Sequence, residues 1–100
     1  MVTEHAVEDW TALTEAFTTF VAPHGEVQTG EESAIFRAQA DDVRTSFTVY
    51  NDGRFAAAMP LHEVDANAER IVFDAASHSL RCEGTFGGYT YRIPRQLIER

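Results

Sequence analysis

Cys82, the one cysteine of the chain, stands four positions after His78 in the run SHSLRCEGTFGGYTYRIPR, and a thiol with an imidazole is the simplest nucleophile and base a sequence can offer. The spacing argues against that chemistry. Four residues along an extended strand span about 13 Å, far beyond the hydrogen-bond reach a base needs. His78 also falls in a turn. A cysteine on the inward side of a strand between isoleucines behaves as a small buried hydrophobe. A second grouping, His62, Glu63 and Asp65, offers three metal-type ligands within four positions. In so acidic a chain, three acceptors fall close together by chance, and the segment HEVDANAE reads as a solvated connection. The four histidines, His5, His24, His62 and His78, show neither HxH nor HExxH spacing. No metal and no cofactor is expected. GxGxxG, GxxxxGK[ST], GxSxG and CxxC are all absent, so nothing supports dinucleotide, phosphate-loop, nucleophile-elbow or thioredoxin-like chemistry.

The third grouping follows from pairing strands. RIVFD and SLRCE around an Ala75 to His78 loop set Ile71 opposite Cys82 and Arg70 opposite Glu83. Taking Gly87-Gly88 as a two-residue turn sets Cys82 opposite Ile93 and Glu83 opposite Arg92. Arg70, Glu83 and Arg92, with Arg81 beside them, then form a row on an outward face that can grip a carboxylate or phosphate, since guanidinium forks match both. The same row also reads as a solvated cross-strand ladder, and that reading is favoured.

The elements that would position these groups come from hydrophobic period. Val7, Trp10, Leu13, Phe17, Phe20 and Val21 recur at steps of three and four, which predicts an amphipathic helix over 4–22, begun at Thr3 and stopped by Pro23 and Gly25. From residue 26 the period falls to two. Strands are expected at about 26–29, 33–39, 43–50, 54–61, 70–74, 79–86 and 89–94. Asp41 and Asp42 turn the chain between two of them, and the PRQLIER tail begins a short helix at Pro94. In VRTSFTVYNDGRFAAAMPL, a three-residue Asn51-Asp52-Gly53 loop opposes Val49 to Phe55, Phe47 to Ala57 and Thr45 to Met59, keeping one face apolar; a two-residue loop mixes polarity. The outer face then carries Tyr50 with Arg54 in cation–π reach.

One hundred residues without an internal repeat make a single domain, 1–100. The expected architecture is α+β: an N-terminal amphipathic helix packed on one face of an antiparallel meander sheet of five to seven strands. The expected core is Trp10, Leu13, Phe17, Phe20, Phe47, Val49, Phe55, Met59, Ile71, Phe73, Leu80, Cys82, Tyr91 and Ile93. One helix covers one side of the sheet, so the other side, with Tyr50, Arg54, Ala56, Ala58 and Val72 among its arginines, is expected to be open for a second copy or a protein partner.

Sixteen Asp and Glu face eight basic residues, every one of them Arg, for a formal charge of −8. An acidic, Lys-free chain rich in Ala and Thr resembles the small acidic domain proteins of haloarchaea, a resemblance of overall character that carries no catalytic motif. It implies a surface of hydrated carboxylates suited to high ionic strength. Nucleic acid is disfavoured as a partner, because an acidic surface repels phosphates and molar salt removes the counterion-release gain. The opening MVTEHAVEDW lacks the basic and apolar regions of a signal peptide, and no apolar run approaches the roughly 20 residues a membrane span needs, so a cytoplasmic protein without a membrane partner is expected. The functional expectation is a salt-adapted, non-enzymatic binding or interaction module that self-associates through its open face. The alternative is an anionic-ligand or metal-binding domain using the Arg-rich face or the His62 loop, with or without hydrolytic activity. If the acidity is salt adaptation, the melting temperature rises with KCl into the molar range as carboxylate repulsion is screened. A thermal melt series that is flat or falling with KCl removes the halophilic reading.

Overall fold

The computed structural model describes residues 2–40, 43–57 and 67–98. In chain order the elements are β1 (Val2–Ala6), α1 (Trp10–Val21), a 3-10 turn (Ala22–His24), β2 (Glu26–Thr29), β3 (Ser33–Ala40), β4 (Val43–Tyr50), β5 (Phe55–Ala57), β6 (Arg70–Asp74), β7 (Ser79–Gly84), β8 (Gly87–Arg92) and α2 (Arg95–Ile98). The class is α+β. The strands form two antiparallel four-stranded sheets rather than one meander: sheet A in the order β1-β6-β7-β8, and sheet B in the order β2-β3-β4-β5.

The helix expected over 4–22 begins at Trp10, and the residues before it are a strand. Of positions 4 to 9 only Val7 carried the helical stripe, so the local signal was thin there. The competing interaction is long-range: β1 pairs antiparallel with β6, setting His5 opposite Ile71 and Ala6 opposite Arg70. This covers an edge of β6 whose backbone groups would otherwise lie open. The Val7 N–H then donates to the Glu69 carbonyl at 2.9 Å. Thr3 therefore caps nothing, and Asp9 occupies the N-cap position without a side-chain capping bond. Farther along, the helix ends as expected at the turn containing Pro23. Trp10 is half-buried, and its Nε1–H donates to the Gly30 carbonyl at 2.9 Å, tying the start of α1 to the β2–β3 turn.

Sheet B follows the sequence pattern closely. β4 and β5 set Val49 opposite Phe55 and Phe47 opposite Ala57, in the register of a three-residue loop. Gly53 sits at φ +95°, where a side chain is strained, and a Cβ there would also run into the Ala68 carbonyl oxygen. That contact closes the loop onto the start of the second sheet, since the Ala68 N–H donates to the Gly53 carbonyl at 2.8 Å and Arg54 bridges to Asn67. Met59, the expected partner of Thr45, the 58–61 part of the strand expected over 54–61, and the expected turn at Asp41 and Asp42 lie outside the described residues.

In sheet A, β6 and β7 pair as expected, with Arg70 opposite Glu83 and Ile71 opposite Cys82. The β7–β8 register differs. Gly84 is opposite Gly87, so Thr85 and Phe86 make the turn, the strands run 79–84 and 87–92 rather than 79–86 and 89–94, and Cys82 faces Tyr89 instead of Ile93. Relative to the expected pairing the slip is four residues, an even number, so every side chain keeps its face while every partner changes. Contacts outside the hairpin select this register. Tyr91 reaches Phe47 with ring centroids 5.1 Å apart, and Tyr89 reaches Phe55 at 5.6 Å.

These ring contacts join the two sheets into one core. Leu13, Phe17 and Val21 of α1, Ala34 and Phe36 of β3, Phe47 and Val49 of β4, and Ile71, Leu80 and Cys82 of sheet A are all fully buried. Burying each large side chain contributes about 1.5–3 kcal/mol. Trp10 and Phe20, expected in the core, lie at its margin, while Phe36, Val21 and Leu97 belong to it without having been expected. Leu97 enters because α2 folds back after Pro94, its N–H donating to the Pro94 carbonyl at 3.0 Å.

Candidate functional site

On the outer face of sheet A the arginine row is present in part and already neutralised. Arg70 Nε lies 2.8 Å from a Glu4 carboxylate oxygen and 3.0 Å from Glu83 Oε1, and Arg70 Nη1 is 3.9 Å from Glu69. Arg81 Nε lies 3.1 Å from Glu83 Oε2, and its Nη1 donates to Thr90 Oγ1 at 3.2 Å. Two guanidiniums thus face three carboxylates, a cluster with no positive charge left for an anion. Arg92 is not part of it. The four-residue slip places Arg92 opposite Ser79 and puts Gly88 opposite Glu83. The Arg81 guanidinium lies directly over Gly88, in space a Cβ would occupy, so the slip also serves this ion pair.

The single open face expected around Tyr50 is two faces. Tyr50, Arg54 and Ala56 lie on sheet B, whereas Val72 lies on sheet A. Arg54 stacks over Tyr50 at 4.8 Å from the ring centroid, and its Nε contacts Asp52 Oδ2 at 2.7 Å. The Arg54 backbone N–H, followed by its guanidinium, holds the Asp52 carboxyl below the usual range. Ala58 and the grouping of His62, Glu63 and Asp65 lie outside the described residues. Among those described, no group of three or more His, Cys, Asp or Glu is arranged to hold a metal ion.

Cys82 is fully buried between Ile71 and Tyr89, and burial pushes its thiol up to about 12. His78 sits in the β6–β7 turn with φ 51°, where its carbonyl accepts from the Ile93 N–H at 2.9 Å. Its ring meets His24 at 5.8 Å, edge to face. The dyad expected to fail on geometry does not form.

Sheet pairing assembles other residues instead. In the β3–β4 ladder Arg37 is opposite Ser46 and Gln39 opposite Arg44, which puts all four on the outer face of sheet B. Arg37 and Arg44, with His24, Glu26, Thr45 and Ser46, line an open cleft of about 620 Å³. Arg44 and Thr45 also line a second cleft of about 480 Å³, with Tyr89, Thr90, Tyr91 and Arg92. The seam between the two is a hydrogen bond shared by the Thr45 and Tyr91 hydroxyls. Burial, offset in part by that bond, raises the Tyr91 hydroxyl above its usual range, so it stays protonated. Among the described residues, no carboxylate comes within ion-pair distance of Arg37, Arg44 or Arg92. Glu26, directly across the ladder from Arg37, does not reach it. A two-residue turn at Asp41 and Asp42 implies this cross-strand neighbourhood of Arg37 and Arg44 in the sequence. Arg92 joins it only through the packing of β8 on β4.

A third space, a groove of about 700 Å³, opens between α1 and sheet A and is lined by His5, Ala16, Phe20, His24, Phe73 and His78 among others. It gathers three of the four histidines from a strand, a helix end and a turn, a convergence no local spacing announces.

No family model, curated protein or solved structure matches the chain. No helix among the described residues is long and apolar enough to cross a membrane.

The raised thiol makes a checkable statement. Cys82 should resist alkylation in the native protein at pH 8 and react fully in denaturant, as followed by mass spectrometry. Because its native value of about 12 exceeds the unfolded value near 9, its burial counts fully toward stability below about pH 9 and is lost progressively as the pH climbs to 12. Denaturant melts of the parent that weaken over that window more than those of Cys82→Ala express the same linkage.

Proposed function

We propose that this chain is a non-enzymatic binding module that takes an anionic ligand, a carboxylate or phosphate, in the clefts lined by Arg37, Arg44 and Arg92. The observation that carries this reading is the contrast among the arginines. Arg54, Arg70 and Arg81 are each paired with a carboxylate, whereas Arg37, Arg44 and Arg92 have none among the described residues and meet around one seam. In a chain with twice as many acids as bases, three guanidiniums without a carboxylate partner among the described residues, sharing two adjoining clefts, concentrate positive potential there. Thr45, Ser46 and Thr90 supply hydroxyls beside them, and guanidinium forks bind oxyanions in a fixed geometry. The non-enzymatic part of the reading is supported by the buried, protonated Cys82 and by the self-neutralised row on sheet A.

Titration calorimetry with inorganic phosphate and with citrate tests the site. Each charge-assisted contact is worth about 1.5–3 kcal/mol, so Arg37→Ala and Arg44→Ala should each weaken binding about tenfold or more, while Arg81→Ala leaves it unchanged. Equal loss in Arg81→Ala, or no binding by the parent, ends the proposal.

A second reading, self-association through the outer face of sheet B, is favoured by the strip that Ile35, Thr48 and Ala56 make across three strands beside Tyr50. Light scattering should then give a dimer that Tyr50→Ala returns to monomer. A parent that is already monomeric removes it.

A further inference from the structure

The groove under α1 and the arginine cleft share a wall, the His24 side chain. Resting on the anion reading above, we infer that the ligand is an amphipathic anion free in solution, its acidic head on Arg37 and Arg44 and its apolar body in the groove between α1 and strands β1 and β6.

The groove exists because of small residues on one side of the helix. Leu13, Phe17 and Val21 turn into the core, while Ala12 and Ala16, on the adjoining side, present only methyl groups to the groove. Phe20 and Phe73 form its floor, their ring centroids 5.4 Å apart. From Ala12 to Phe20 the helix runs eight residues, about 12 Å, enough length for a medium alkyl chain or a pair of fused rings. The volume of about 700 Å³ lies in the range of small-molecule sites.

Charge sets the direction of the occupant. Among the described residues the groove begins on α1 at Ala12, its one carboxylate is Glu15 near the middle of the helix, and no arginine lines it. The other end, past the close of the helix, is His24, and on the far side of His24 stand two guanidiniums against one carboxylate, Glu26. An anionic head is repelled beside Glu15 and attracted beyond His24. An apolar body with its acid at the His24 end satisfies both, and neither space alone accommodates both parts. His5 and His78 line the same groove and add polar ring edges along it.

Calorimetry with hexanoate, octanoate and decanoate, beside inorganic phosphate as a head without a body, tests this. Affinity should rise about fourfold for each methylene buried. Thr19→Trp, at an exposed position on the groove rim, should flatten the chain-length series and leave phosphate binding intact. The double variant Arg37→Ala, Arg44→Ala should weaken every probe. If phosphate binds and chain length changes nothing, the arginine site stands and the amphipathic ligand is overturned. If the chain-length series survives loss of both arginines while phosphate binding is lost, the arginine site stands and this inference falls; if phosphate binding survives as well, both fall. Failure of every probe to bind sinks both as well. Flotation with anionic lipid vesicles that persists in Thr19→Trp would make the partner a membrane surface and overturn a free ligand.

Discussion

Phe47 is the point on which the two sheets and the helix all bear. Its ring, fully buried, lies 6.1 Å from Phe17 of α1, 6.2 Å from Phe55 of β5 and 5.1 Å from Tyr91 of β8. Each four-stranded sheet has an apolar face that must be covered, and the helix is too short to hold together without burial. Each therefore depends on the aromatic junction. The same junction explains the β7–β8 register, because only the observed pairing delivers Tyr91 to Phe47 and its hydroxyl to Thr45 while Tyr89 lies against Phe55. It also fixes where the arginine clefts lie, since Arg44 and Arg92 are chain neighbours of the two residues that form the seam.

The charge pattern has two parts that composition merges. Most of the acid excess is solvated surface, and where arginines stand on sheet A, carboxylates from β1, from Glu69 just before β6, and from β7 converge on them. Such exposed pairs are worth only a fraction of a kcal/mol each, so their main effect is to leave that face electrically quiet. Among the described residues, Arg37, Arg44 and Arg92 escape this quenching, their cross-strand neighbours being Glu26 at a distance, Gln39, and Ser79. An acidic protein can thus carry a local basic site without any change in its overall sign.

Much of the fold was legible where the deciding contacts are close in sequence. The Asn51-Asp52-Gly53 loop, with Gly53 left-handed, and the pairing of Arg70 with Glu83 both follow from alternation and turn chemistry, and both are seen. What could not be read came from partners far along the chain. Val2–Ala6 became a strand because β6 was waiting for it, sixty-odd residues on, and the Gly87-Gly88 turn lost to Thr85-Phe86 because of rings on another sheet. The same divide runs through the site. Arg37 and Arg44 could be placed together from one hairpin, but Arg92 and the convergence of His5, His24 and His78 required the tertiary arrangement.

The pairing of β1 with β6 also bears on the order in which the chain can become native. His5 meets Ile71, 66 positions away (71 − 5), whereas Val49 meets Phe55 only 6 away (55 − 49). Closing the longer loop costs about 2 kcal/mol more in chain entropy before any contact repays it. Sheet B, built wholly of adjacent strands, needs no such closure, while sheet A has to recruit the beginning of the chain after β6 has formed. By that cost the pairing of Val2–Ala6 with β6 is expected to come late, on a β6 edge that its own hairpin with β7 has formed.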